Sequence, residues 1–406
     1  MNLSNLCKST TLLTLLILLW TSSQSQISPS PHCDTQCNFS QIVADNDVRT
    51  LEIVGETAWL GTTGGLIKYD LSNDTYTKYT TNDGLRNNGI TKLAPSNDES
   101  VWISTDNGLC KFQDDCFYFD DRPNLENDNI YRQCINDMFV DDQNRLWSIC
   151  SVWSDYQLSV YDDSDQSTQY FSKFNPDSTY YNPAAFAKGN NNDIWLLFQP
   201  NHDTDDLELV WFDMATGNFE VKKTLNGILF SPQIQVLENG ELWFDTYNTI
   251  HHYIPDADEL IEKSVNGPIK SFVIDPQTTG NPDIWYIEYF NPYLNKNNND
   301  NPISILEADF FAYELKIVDD KMWIATSNGF FEFDKESEFI PKNLNNKFRT
   351  NWLRTLASDN DNNIWLGYRD SYYPIAKYNT ATSEIQYFEN INSNSIESIF
   401  IDGNTA

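Results

Sequence analysis

Apolar residues along this chain fall in short runs, and polar or glycine-bearing turns punctuate them throughout. After the first twenty residues no stretch repeats apolar side chains at helical spacing, so the pattern predicts short β-strands joined by turns. The strongest regularity is tryptophan, which recurs at 59, 102, 147, 195, 243, 285, 323 and 365, at intervals of 38 to 48 residues. Each of these tryptophans follows a polar turn and sits in a short strand, as in TAWLGT (57–62), SVWIST (100–105), KMWIAT (321–326) and NIWLGY (363–368). Apolar neighbours on both sides of most of them predict a strand buried on both faces. A unit of this length, with four strands and one such strand in each, is the pattern of a β-propeller blade.

The first unit displays the plan: RTLEIVG, TAWLGTT, GGLIKYD and TYTKY read as strands A, B, C and D. Unit two repeats it in GITKLAPS, SVWISTD, GLCKFQ and CFYFDD, and unit seven in AYELKIVDD, KMWIATSN, GFFEFD and EFIPKN. Unit six carries the polar excursion NPYLNKNNNDN (291–301), and no clear fourth strand is legible in it. The predicted fold class is therefore all-β, a β-propeller of four-stranded antiparallel blades, because radial closure leaves only short sheet edges where an open stack exposes long ones. The piece FSQIV (39–43) reads as an orphan fourth strand that would complete the last blade and lock the ring. Rings of seven or of eight blades both fit the count of repeats. The segment SIESIFIDGNTA (395–406) reads as a further strand A with its turn, so the expected organisation is a leader at 1–25, a linker with a cysteine pair at 26–38, a propeller at 39–389 and the start of another repeat at 390–406.

Composition adds compartment and partners. Lys8 precedes the apolar run TTLLTLLILLW (10–20), and the small or polar residues TSSQS follow it. That is the layout of a secretory signal, with cleavage expected near Ser25. The run is too short to span a bilayer, which takes about 20 residues. Secretion or a periplasmic location follows, with no membrane span in the chain. The net charge of −33 argues against nucleic acid as a partner and against electrostatic docking on anionic lipid. Six cysteines follow the leader, and an even number bound for an oxidising compartment suggests disulfides. Cys110 and Cys116 flank one turn, Cys134 and Cys150 flank another, and Cys33 and Cys37 lie close together, so these three pairings are the expectation. A zinc reading of Cys33 and Cys37 lacks a second pair of ligands.

WLGTTGGLIKYD (59–70), WISTDNGLCKF (102–112), WIATSNGFFEFD (323–334) and the connector NDGLRNNGI (82–90) resemble the two-component regulator propeller repeat. The resemblance runs over about residues 39–402. It is sharp in units one, two, seven and eight, and looser in units three to six, where SICS, LLFQ, FDTY and YIEY replace the family's IGT. It implies seven-bladed rings, often two in tandem, with unit eight opening a second. It also implies an extracytoplasmic sensor of hybrid two-component systems, many of which respond to polysaccharide fragments, or a related secreted propeller.

Catalytic signatures are not found: the chain has no G-x-S-x-G, no H-E-x-x-H and no phosphate-cradling G-x-x-x-x-G-K. No catalytic residue, cofactor or metal is assigned. His251 and His252 are adjacent on a strand, point to opposite faces, and are read as surface or interblade polar residues. Asp359-Asn-Asp361-Asn-Asn363 opens like a calcium loop but has Ile364 where that loop needs glycine, so it reads as a hairpin turn. In a four-stranded antiparallel blade the B–C and D–A connections leave the same end. The longest of them carry Trp153, Tyr156, Tyr180, Tyr181, Tyr293, Tyr372 and Tyr373. Rings on such loops suit stacking on sugars or gripping a protein, so these residues are the candidate ligand-binding set, with an oligosaccharide or a protein as partner. The leading expectation is a binding or sensing module. A lyase-like propeller enzyme and a structural secreted surface protein are the alternatives.

Overall fold

The computed structural model describes residues 30–32, 47–119, 135–149, 158–171, 181–200, 206–229, 232–275, 282–289, 293–296, 303–304, 311–318, 321–327, 329–333, 335, 339–341, 353–359, 361, 363–368, 375–379, 382, 384–388, 396 and 399. Eight antiparallel sheets follow one another along the chain, each built from four consecutive strands in the order A-B-C-D. In unit one these are Val48–Val54, Thr57–Thr62, Leu66–Asp70 and Thr75–Tyr79. Unit six has its fourth strand after all, the short Ile303–Ser304. A three-residue strand, Ser30–His32, lies within the segment read as a linker and adds a fifth strand to the outer edge of unit two.

Burial within each sheet follows the sequence pattern. The tryptophan strand B of unit two, Val101–Thr105, is buried at every position, and that of unit seven is buried at all but its first. Strand D of units one and five carries only exposed and partly buried residues, as an outer edge strand should. Apolar clusters join neighbouring sheets. One unites units one, two and three around Trp102, and others join three with four, four with five, five with six and six with seven. Another joins Leu51, Leu60 and Tyr69 of unit one to Trp323, Ala325 and Phe330 of unit seven. The sheets therefore form a ring in which unit seven packs on unit one. Unit eight keeps its own cluster, Leu366, Tyr368, Ala376 and Tyr378.

The repeated tryptophan is held the same way in several units. The residue directly across from it on strand C is Lys68, Lys111, Lys296 or Lys377 in units one, two, six and eight, and each ammonium lies 4.7 to 5.6 Å from the ring centroid. An acid of the A–B turn holds the cation in units two and eight, Asp98 and Asp359, and Asp283 at the start of strand B does so in unit six. In unit five His252 takes the cation's place, stacked on Trp243 at 4.0 Å and bonded to Glu241 at 2.8 Å. Burial of an indole, a cation over its face and a turn carboxylate thus act together in one repeating arrangement.

The glycine of WLGT has a packing reason. A Cβ on Gly61 would lie 2.5 Å from Cγ2 of both Thr50 and Ile90, where strand B of unit one meets the first residue of strand A in unit two. Gly367 of unit eight stands in the same relation to Thr355 and Ile396, and the Ile396 amide donates to the Tyr368 carbonyl at 2.9 Å. Ile396 thus sits against unit eight as Ile90 of unit two sits against unit one. Because the β-branched neighbours cannot swing clear, Gly61→Ala is expected to cost about 2 kcal/mol by overpacking. Chemical denaturation of both proteins measures this, and an unchanged midpoint would refute it.

Two expectations are corrected. Unit seven has its own fourth strand, Phe339–Pro341, so no N-terminal strand is needed to complete that sheet; FSQIV itself lies outside the described residues. Cys110 and Cys116 are not bonded to one another. Cys110 is free and buried, whereas Cys116 is disulfide-bonded. The hairpin between them turns on Asp114 and Asp115, both with positive φ, which sets Gln113 opposite Cys116. A two-residue turn of that type shifts the register away from the symmetric one that would have paired the thiols. Burial pushes the Cys110 thiol up to about 12, so it stays protonated. Cys33, Cys37, Cys134 and Cys150 lie outside the described residues.

Candidate functional site

The A strands of units one to seven surround a cavity of about 340 Å³. Its polar lining includes Glu52, Lys92, Asp137, Gln233, Gln235, Glu314 and Lys316, contributed by five of the units. Strands on neighbouring blades are too far apart to share a backbone ladder, and these side chains bridge the gaps. Gln233 Oε1 accepts from Ser271 Oγ at 3.1 Å and the Phe272 amide at 3.2 Å. Two residues on, Gln235 accepts from the Ile274 amide and donates to the Phe272 carbonyl. Ser271 Oγ then accepts from the Leu315 amide, and Glu314 accepts from the Leu51 amide at 2.9 Å. Lys316 pairs with Glu52 across the seam between units seven and one, and Lys92 pairs with Asp137 across that between two and three.

The charges in the channel are interdependent. Burial lifts the Glu52 carboxyl above its usual range, Lys316 works against that lift and Glu314 adds to it. Burial opposes the charge on Lys316, but Glu52 and Glu314 outweigh it and its affinity for its proton rises. Asp137 is the main reason that Lys92 also holds its proton more firmly. These groups are engaged with one another, and the channel reads as an interblade brace.

The end of the ring from which the B–C and D–A connections leave has a different character over units five to seven. Seven large apolar side chains are exposed among the described residues, and four of them, Ile228, Tyr247, Tyr293 and Phe311, lie at this end. Backbone bonds tie the surface together: the Tyr247 amide donates to the Ile228 carbonyl, and the Ile269 amide to the Tyr247 carbonyl. Next to Ile269, the Lys270 ammonium donates to the Tyr289 hydroxyl at 3.2 Å and lies 4.9 and 6.0 Å from the ring centroids of Tyr289 and Tyr313. Burial and the Asp47 carboxylate beside it both push the Tyr313 phenol up, so it remains a hydrogen-bond donor. Rings, phenol hydroxyls and an ammonium are thus gathered on one rim.

Of the residues singled out from sequence, Tyr293 is on this rim, 39 % exposed, at the start of a strand C. Tyr181 begins strand A of unit four, opposite Pro200. Trp153, Tyr156, Tyr180, Tyr372 and Tyr373 lie outside the described residues. Tyr247, Tyr289, Phe311 and Tyr313 do not stand out in the sequence because they sit at strand ends and in short turns, not in the longest loops. Their common signal is an aromatic within two residues of a predicted B–C or D–A turn.

His251 and His252 do point to opposite faces, but His251 is buried and not at the surface. It stacks on Phe244 and shares a hydrogen bond with Thr246 Oγ1 at 3.1 Å. The Asp359 carboxylate accepts from the Asp361 and Asn363 amides, the Asn363 side chain and the Trp365 indole, so it serves its turn and its tryptophan. Among the described residues no cluster of three or more His, Cys, Asp or Glu side chains is arranged to hold a metal. No helix among them is long and apolar enough to cross a membrane.

No family model matches this chain, and no curated protein does. Solved structures do. The chain is similar to the extracellular domain of the B. thetaiotaomicron system BT4673 at 16 % identity and TM-score 0.47, over 90 % of this chain and 52 % of that one. It thus spans about half the length of that domain. It is similar to a streptogramin B lyase at 15 % identity and TM-score 0.54, over 71 % of this chain and 94 % of the lyase. It is similar to the GH74 enzyme of Niastella koreensis at 11 % identity and TM-score 0.56, over 84 % and 60 % of the two chains. At these identities the likeness is one of fold, and the fold serves proteins of unlike function.

Proposed function

We propose that this chain is an extracytoplasmic binding or sensing module that meets an oligosaccharide or peptide on the B–C and D–A end of its ring. The observation that carries this reading is the gathering of Tyr247, Tyr293, Phe311, Tyr289, Tyr313 and Lys270 on one rim of units five to seven. Exposed rings with a polar tip offer flat apolar faces for sugar or peptide groups, and the phenols and ammonium supply directional bonds. The channel carboxylates and lysines brace the seams, which favours recognition over acid–base chemistry. The resemblance of the repeats to two-component regulator propellers supports a sensory role.

The test is a screen of the purified chain against an array of oligosaccharides and peptides, followed by titration calorimetry on the best binder. Tyr247→Ala with Tyr293→Ala is expected to weaken that binder at least tenfold while the thermal midpoint stays within a few degrees. Unchanged affinity in this double variant would overturn the assignment of the rim. Turnover of an array sugar by the unmodified chain would overturn the binding reading in favour of an enzyme.

A further inference from the structure

The strand Ser30–His32 runs antiparallel to strand D of unit two, Cys116–Phe119, with Ser30 opposite Phe119, Pro31 opposite Tyr118 and His32 opposite Phe117. Antiparallel register advances one residue on each strand per step, so a continuation of this ladder would set position 33 opposite 116. Both positions are cysteine. Directly opposed residues of an antiparallel pair have Cα atoms about 4.5 to 5.5 Å apart, within the span a disulfide needs. Cys116 is disulfide-bonded, and the free, buried Cys110 is not its partner.

We propose that Cys33 is the partner of Cys116, so that a disulfide staples the segment ahead of the first blade to the outer edge of unit two. The bond holds in place the strand Ser30–His32, which covers an edge that would otherwise present unpaired backbone groups, and it fixes where the chain enters the ring. Its formation is an exchange. The thiolate of one cysteine attacks a sulfur of an oxidised thiol carrier, such as glutathione disulfide, and one thiol of the carrier leaves. The second cysteine then attacks the mixed disulfide and releases the other thiol. Two electrons and two protons pass from the cysteine pair to the carrier, which ends as two thiols.

The experiment uses the whole chain, both as secreted and after full reduction and refolding with glutathione disulfide. The refolded sample makes the result independent of whether the chain is exported. Free thiols are blocked with iodoacetamide before digestion with trypsin and a protease that cuts before aspartate. Asp34 separates Cys33 from Cys37, and Lys111 separates Cys110 from Cys116, so each thiol falls in its own fragment. The expected result is one linked pair holding Cys33 and Cys116, lost on reduction, with Cys110 alkylated only after denaturation. In Cys33→Ser, Cys116 is expected to become open to labelling; in Cys37→Ser it is expected to stay blocked. Cys116 linked to Cys37, Cys134 or Cys150, or labelled in the oxidised native chain, would overturn the proposal.

Discussion

Trp102→Ala is expected to lower the stability of the ring by about 4 kcal/mol, in the range of buried aromatic truncations. The indole is 1 % exposed, and its ring meets Tyr161 of unit three edge-on at 5.6 Å, so it packs its own sheet and the seam beyond it. Lys111 lies over its face, itself only 5 % exposed and paired with Asp98 and Asp163. Removing the ring leaves a cavity and strips a buried cation of its aromatic partner, so two costs fall on one site. Trp102→Phe keeps part of the ring and is expected to cost about half as much. Urea denaturation followed by circular dichroism measures both. A loss under about 1 kcal/mol for Trp102→Ala would show that the tryptophan strands do not carry the packing between blades.

Acidification is expected to weaken the fold through His251. In the folded chain burial pulls the imidazole down to about 4 from the ordinary 6.5, and the Glu262 carboxylate 3.5 Å from Nδ1 is too exposed to reverse this. Between those two values the unfolded chain binds a proton that the native chain refuses. Stability from this residue is therefore fully present above pH 6.5, falls as pH drops through that window, and changes no further below about 4. The whole loss amounts to about 3 kcal/mol. His251→Phe keeps a ring against Phe244 and removes the titration, so the variant's stability should fall less steeply over the same window. The measurement is the unfolding free energy of both proteins at several pH values from 7 to 4. Parallel curves would show that His251 is not a buried neutral imidazole.

How much of this was legible in the sequence differs from residue to residue. Trp102 and its seven counterparts announced the blades, because a strand buried on both faces must be apolar on both sides of its widest residue. Gly61 was visible as part of a repeated motif, but its reason, the approach of Thr50 and Ile90, requires two neighbouring sheets to be in place. Tyr293 was singled out correctly as an exposed ring, whereas Lys270, Tyr289 and Tyr313 come from two units and meet only in three dimensions. The cysteines show the limit most directly. Spacing suggested a pair across one hairpin, and a two-residue turn at Asp114 and Asp115 set a different register.

Sequence by itself determined the all-β class, the repeating tryptophan-marked unit and the burial of most of the tryptophan strands. These depend on local alternation and turn chemistry, which neighbouring residues dictate. Tertiary structure alone decided that unit seven packs on unit one, that Glu52 finds Lys316 and Glu314 finds the Leu51 amide, and which rings share a rim. All but the last are meetings between residues more than 250 positions apart along the chain, and only the curvature accumulated over successive twisted sheets brings them together.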